Sequence, residues 1–211
     1  MRRVPIFATL LVLAAVAVMI GLGFWQLQRK GEKEAQLAVL QSNPSLPAIA
    51  YPPMAPVDTT LLFRPTSVNC LRVIGWQVEG GKAANGQTGF RHIAQCATGA
   101  EGPGALVNMG VDQHGDWKPT WNGGHVTGWL SEEPDHRSLF SRMLGSAPPL
   151  RPMLVSGAPA SGLTAAAVPK ADDVPNNHLA YAVQWFLFAG IALIIYALAL
   201  RRRMKDDGSA E

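Results

Sequence analysis

The sequence predicts a membrane protein in which two transmembrane α-helices flank a β-rich extracytoplasmic domain, an open barrel or sandwich of α+β type. Three observations carry this. Two apolar runs stand near the ends of the 211-residue chain. Short β-branched segments alternate with Gly-rich turns between them. Basic residues cluster beside both apolar runs.

The first run, "VPIFATLLVLAAVAVMIGLGF", has no charged residue, and none follows until Arg29. Its 21 residues would extend roughly 31 Å as a helix, matching a bilayer core of about 30 Å. The second run, Ala180 to Leu200, has the same length. "MRR" at the start would also suit a signal peptide. The apolar stretch is longer than a typical signal core, however, and no A-x-A cleavage pattern follows, which favours a retained helix. "RRRMK" after the second run assigns that end to the cytoplasm. Two spans then put the N-terminus on the same side, with which "MRR" agrees and Arg29, Lys30 and Lys33 disagree. The expected location is a bacterial inner (cell) membrane, multi-pass, with both termini cytoplasmic and the large loop periplasmic.

These signals divide the chain into a transmembrane helix over 4–25 and a helical extension over 26–42. A Pro-rich connector over 43–57, a β-rich domain over 58–157 and a loop over 158–176 follow. A second transmembrane helix over 177–200 and a tail over 201–211 complete it. Pro44 and Pro47 end the extension. "NPSLPAIAYPPMAP" holds five prolines in fourteen residues and reads as extended chain with little regular hydrogen bonding. "RPTSVNCLRVIGWQVEG", "FRHIAQCAT", "GALVNMGVD", "HVTGWLS" and, more weakly, "PMLVSG" are the strand candidates, about five or six strands in all. Asn85–Gly86 suits a tight hairpin turn. "DHRSLFSRML" suits a short helix, and "GAPASGLTAAAVPKADDVP" a small-residue loop.

Residues 26–178 hold 12 Lys+Arg against 12 Asp+Glu. That neutral balance has no basic stripe, so nucleic acid is not an expected partner. Cys70 and Cys96 are compatible either with a disulfide or with two buried thiols. "DQHGD" sets His114 between Asp112 and Asp116. It reads as a polar turn, with metal binding the minor alternative. No H-E-x-x-H, G-x-S-x-G or phosphate-loop pattern occurs, so an enzyme is not expected.

The helix mouths carry the candidate site. In "NNHLAYAVQWF", His178, Tyr181 and Trp185 are spaced to share one helical face. Imidazole ligates haem iron, and aromatic rings pack on a macrocycle. Tyr and Trp also gather at membrane interfaces without any ligand. In "GFWQLQR", Trp25 and Arg29 share a face of the first helix at the same membrane level. Arg29 there is either an interfacial anchor or a partner for a carboxylate.

Taken together, "GLGFWQLQRKGEKEAQL", "LLFRPTSV", "ALVNMGVD", "HVTGWLSEEP" and "NNHLAYAVQWF" resemble the surfeit locus protein 1 family of haem-copper oxidase assembly factors. The first and last fit the family patterns G-x-W-Q-x-x-R and N-x-H-x-x-Y-x-x-x-W. Asn69 and Cys70 stand where the family has a glycine, and Met109 where it has an arginine. The resemblance implies binding of haem a and its insertion into cytochrome c oxidase subunit I. It implies His178 as axial ligand, Tyr181 and Trp185 lining the pocket, and Trp25 and Arg29 opposite. The isoprenoid tail would lie in membrane lipid, with the propionates near Arg29. Haem a synthesis enzymes are further candidate partners. The alternative is a membrane scaffold that stabilises an oxidase assembly intermediate without a cofactor.

Overall fold

The computed structural model describes residues 5–171 and 174–206. The N-terminal "MRR", Asp172, Asp173 and the last five residues of the tail lie outside them. The chain forms two compact units, one carrying both long helices as far as Gln36 and from Pro175, the other spanning Leu37–Val174.

Helix α1 runs without interruption over Ile6–Ser42, and helix α3 over His178–Asp206. Both are long and apolar enough to cross a membrane, and little of either apolar window is buried inside the protein. That is the pattern of surfaces made for lipid rather than for a protein core. The two helices run antiparallel. Thr9 and Tyr196 share a hydrogen bond near one end, and Gln26 and His178 near the other. Between these ties the buried residues are small: Val16 and Gly23 on α1, Ala182 and Ala189 on α3. Thr9, Val16 and Gly23 are seven apart, as are Ala182, Ala189 and Tyr196. A seven-residue repeat keeps one seam facing the partner helix, and small side chains let membrane helices approach closely. Gly23 marks that approach, because a Cβ there would lie 2.5 Å from the Phe186 ring.

The second unit is one seven-stranded mixed sheet. Its strands are β1 (Ile49–Ala50), β2 (Pro65–Cys70), β3 (Arg72–Lys82), β4 (Thr88–Ala97), β5 (Ala105–Asp112), β6 (Gly124–Glu132) and β7 (Pro152–Ser156). The spatial order is β1-β2-β6-β7-β5-β4-β3. β1–β2 and β5–β7 pair in parallel, and the other neighbours pair antiparallel. A short helix, α2 (Leu139–Met143), precedes β7, with Ser138 accepting from the Ser141 N–H as its cap.

In a flat sheet β2 and β4 would stand four strand spacings apart, about 19 Å. Instead the Cα atoms of Cys70 on β2 and Cys96 on β4 are 5.2 Å apart, and their sulfurs are bonded. The Leu71 N–H also donates to the Ala97 carbonyl. The sheet is therefore rolled into an open barrel. β5 and β7 are buried on both faces, β7 as the apolar run "PMLV" and β5 as apolar residues interrupted by buried Asn108. Val107, Met109 and Leu154 face the cluster that holds the disulfide, whereas Leu106, Met153 and Val155 face a second cluster with Ala83 and Ala166.

Three details depart from the sequence reading. The run "RPTSVNCLRVIGWQVEG" is two strands, not one. It breaks at Leu71, because β2 pairs with β6 while β3 pairs with β4. The Pro-rich connector contributes β1, whose Ile49 carbonyl also accepts from the Thr66 hydroxyl. The small-residue loop is docked on the sheet. The Ala160 N–H donates to Met109, Thr164 exchanges both backbone hydrogen bonds with Val111, and Ala160, Leu163 and Ala166 are buried.

The "DQHGD" turn is structural. Asp112 accepts from the Gly115 and Trp117 N–H groups and from His92 Nε2 at 2.9 Å. His92 is itself buried beside Trp117. Burial alone would raise the Asp112 carboxyl, but its hydrogen bonds from His92, Gly115 and Trp117 together hold it below the ordinary carboxylate value. A depressed pKa stabilises the fold above the unfolded-chain value near 3.8, and that contribution is lost as pH falls through the folded value. Asp112→Ala leaves two N–H groups and an imidazole without their acceptor. We expect a loss of about 2 kcal/mol at neutral pH, shrinking below pH ~4, in urea unfolding measured at both pH values. An equal loss at both would contradict the assignment.

Candidate functional site

The candidate site lies at the mouth of the helical hairpin. α3 begins where the Tyr181 N–H donates to the Asn177 carbonyl at 3.3 Å. This starts the helix at His178 and turns its imidazole toward α1. His178 Nδ1 lies 2.8 Å from Gln26 Oε1, both side chains being partly buried. Among the described residues, no hydrogen bond to His178 Nε2 accompanies it. Among the described residues, the buried carboxamide oxygen of Asn176, two residues earlier, has no hydrogen-bond partner.

His178 stands at the border between the buried seam and an exposed aromatic flank. Tyr181 is 52 % exposed. Trp185, part-buried, meets Phe188 edge to face. Phe186, the next residue, packs inward on Gly23 and edge to face on Phe24 at 5.4 Å. Across the hairpin Trp25 is 50 % exposed. Arg29 is exposed and donates to Glu32 at 2.6 Å, one turn further along α1. Lys30 and Glu34 form a second pair of the same kind.

Of the residues singled out from sequence, His178 is thus held across the helix pair. Tyr181, Trp25 and Arg29 are exposed and Trp185 is part-buried, and none of the four forms a hydrogen bond or ring contact with His178 among the described residues. The residue the sequence reading passed over is Gln26, next to Trp25. Its signal was available. The small residues seven apart on both helices set a register that makes position 26 face position 178. Among the described residues, no group of three or more His, Cys, Asp or Glu side chains converges as a metal-ligand set. A metal placed here would find a single imidazole, a donor set that would suit an iron already held by four macrocycle nitrogens rather than a bare ion.

A family model described as the SURF1 family matches residues 13–190. No curated protein matches the chain. The matched span takes in most of α1, the whole rolled sheet and α3 past Trp185. It therefore includes both helix mouths as well as the domain between them. The chain belongs to the SURF1 family, which is associated with cytochrome oxidase assembly.

Proposed function

We propose that this chain is an oxidase assembly factor that binds haem a as cargo at the outer mouth of the hairpin and supports its insertion into oxidase subunit I. The observation that carries the reading is His178, tied through Nδ1 to Gln26 at the mouth of the hairpin, with exposed Tyr181 three residues on and exposed Trp25 next to Gln26. His178 is the axial ligand, while Tyr181, Trp185 and Trp25 supply flat apolar faces. Arg29 serves the propionates. Its present partner, Glu32, is an exposed i,i+3 acid, and such pairs are worth ~0–1 kcal/mol. Exchanging that carboxylate for a propionate therefore costs little. One protein ligand on an open flank suits a carrier that must release what it binds.

Orientation belongs to the same proposal. The basic run Arg201–Lys205 sets the end of α3 on the cytoplasmic side. The Cys70–Cys96 disulfide suits an oxidising compartment, so the barrel is extracytoplasmic, in the periplasm of a bacterial inner membrane. The test is haem content and absorption spectrum after co-production with haem a synthesis enzymes. Wild type is expected to carry haem a, and His178→Ala to lose most of it. An unchanged spectrum in His178→Ala would sink the ligand assignment.

A second reading, a scaffold without a cofactor, draws on α2. Leu139, Phe140 and Met143, with neighbouring Leu144, are 65–85 % exposed. So many large apolar side chains left to water suit contact with another protein. Crosslinking from position 140 to subunit I, with no haem on the purified protein, is the result that would favour it.

A further inference from the structure

We propose that Gln26 is the positioning residue that fixes His178 in its Nδ1–H tautomer and so presents Nε2 as the iron-binding atom. This rests on the haem-carrier reading and adds the control of its ligand. A neutral imidazole has one N–H and one lone pair. The acceptor 2.8 Å from Nδ1 is an amide oxygen, so Nδ1 carries the proton and Nε2 keeps the lone pair. Metal-ligating histidines characteristically donate their second N–H to an acceptor, which fixes both tautomer and ring orientation.

The contact crosses between helices, 152 residues apart in sequence. The hairpin seam holds it in place: Gly23, one turn before Gln26, admits the Phe186 ring at closest approach. Both polar side chains are partly buried, which limits exchange of their hydrogen bond with water. An amide oxygen is a neutral acceptor. A carboxylate in its place would make a stronger, charge-assisted bond and a more basic ligand. A neutral partner therefore suits a ligand whose cargo must leave.

The first measurement needs no haem. In the full-length apo-protein with ¹⁵N-labelled histidine, the His178 signals, identified by their loss in His178→Ala, are expected to show a protonated Nδ1 and an unprotonated Nε2. Gln26→Leu removes the acceptor and is expected to let the proton redistribute onto Nε2. Gln26→Glu keeps an acceptor and restores the Nδ1–H form. The second measurement uses haem a as the probe. Gln26→Leu is expected to bind it about 10–100-fold more weakly. Gln26→Glu is expected to hold it at least as tightly as wild type, with a lower midpoint potential. A wild-type proton on Nε2, or a tautomer unaltered in Gln26→Leu, overturns the proposal. The two readings fail separately: haem retained by His178→Ala refutes the ligand, whereas the apo tautomer tests Gln26.

Discussion

Replacing Cys70 and Cys96 together by alanine is expected to destabilise the barrel by about 3.5 kcal/mol, the chain-entropy value for a loop of this length. The separation is 26 residues, and both sulfurs sit in the main core cluster, each residue 1 % exposed. Alanine rather than serine is the right replacement, because two buried hydroxyls would add their own cost. The bond also joins strands that three others separate in the sheet. Its loss thus releases the curvature of the sheet as well as a loop. The measurement is urea unfolding of the full chain in detergent, followed by tryptophan fluorescence. Trp76, Trp117 and Trp121 pack against that core. Reductant added to wild type should reproduce the variant's midpoint. Coincident curves for wild type and variant would show that the bond contributes nothing.

Gly128→Ala is expected to cost a comparable amount, about 3 kcal/mol or more, a value at the upper end for overpacking. A Cβ at this position on β6 would lie 1.9 Å from the Val155 carbonyl oxygen and 2.8 Å from its carbon, both backbone atoms of β7. No rotamer change relieves that clash, so β6 and β7 must separate locally. Gly80→Ala on the edge strand β3 is the control, since nothing lies within 4 Å of its added Cβ. That variant should unfold within about 1 kcal/mol of wild type. Equal midpoints for the two variants would show that β6 and β7 yield more easily than their spacing implies.

The helices and most strands were legible in the sequence because each depends on a local pattern. A charge-free run of 21 residues has few solutions other than a span, and the short alternating segments could be counted. What escaped depends on pairing between distant segments. No turn-forming Gly or Pro in "SVNCLRVI" marks Leu71 as a break, and β-branched residues stand on both sides of it, Val68 before and Val73 and Ile74 after. The break exists because β6 claims one side and β4 the other. Cys70 and Cys96 were open to two readings for the same reason, as only the roll of the sheet brings them together. The docked loop hid behind its composition. Alanine and glycine suggest slack chain, yet Ala160 donates its N–H to β5, where Gly110 leaves room for Pro159, Leu163 and Thr164. At the helix mouth, His178 stood out through its context, whereas Gln26 required the register between two helices. Faces drawn one helix at a time do not supply that register.

β7 has a consequence for how the domain is made. In the strand order it is the strand that pairs with both the β1-β2-β6 group and the β5-β4-β3 group, and it is the last strand synthesised. A ribosome that has translated through β6 has delivered six strands but two half-sheets not yet joined into one ladder. Cys70 belongs to one half and Cys96 to the other. Their bond can form across the gap while β7 is still being translated, clasping the halves in the arrangement that β7 later fills. A stop codon just before Pro152 would thus remove β7 together with the docked loop and α3, and leave two half-sheets held by the Cys70–Cys96 bond and the chain that runs between them.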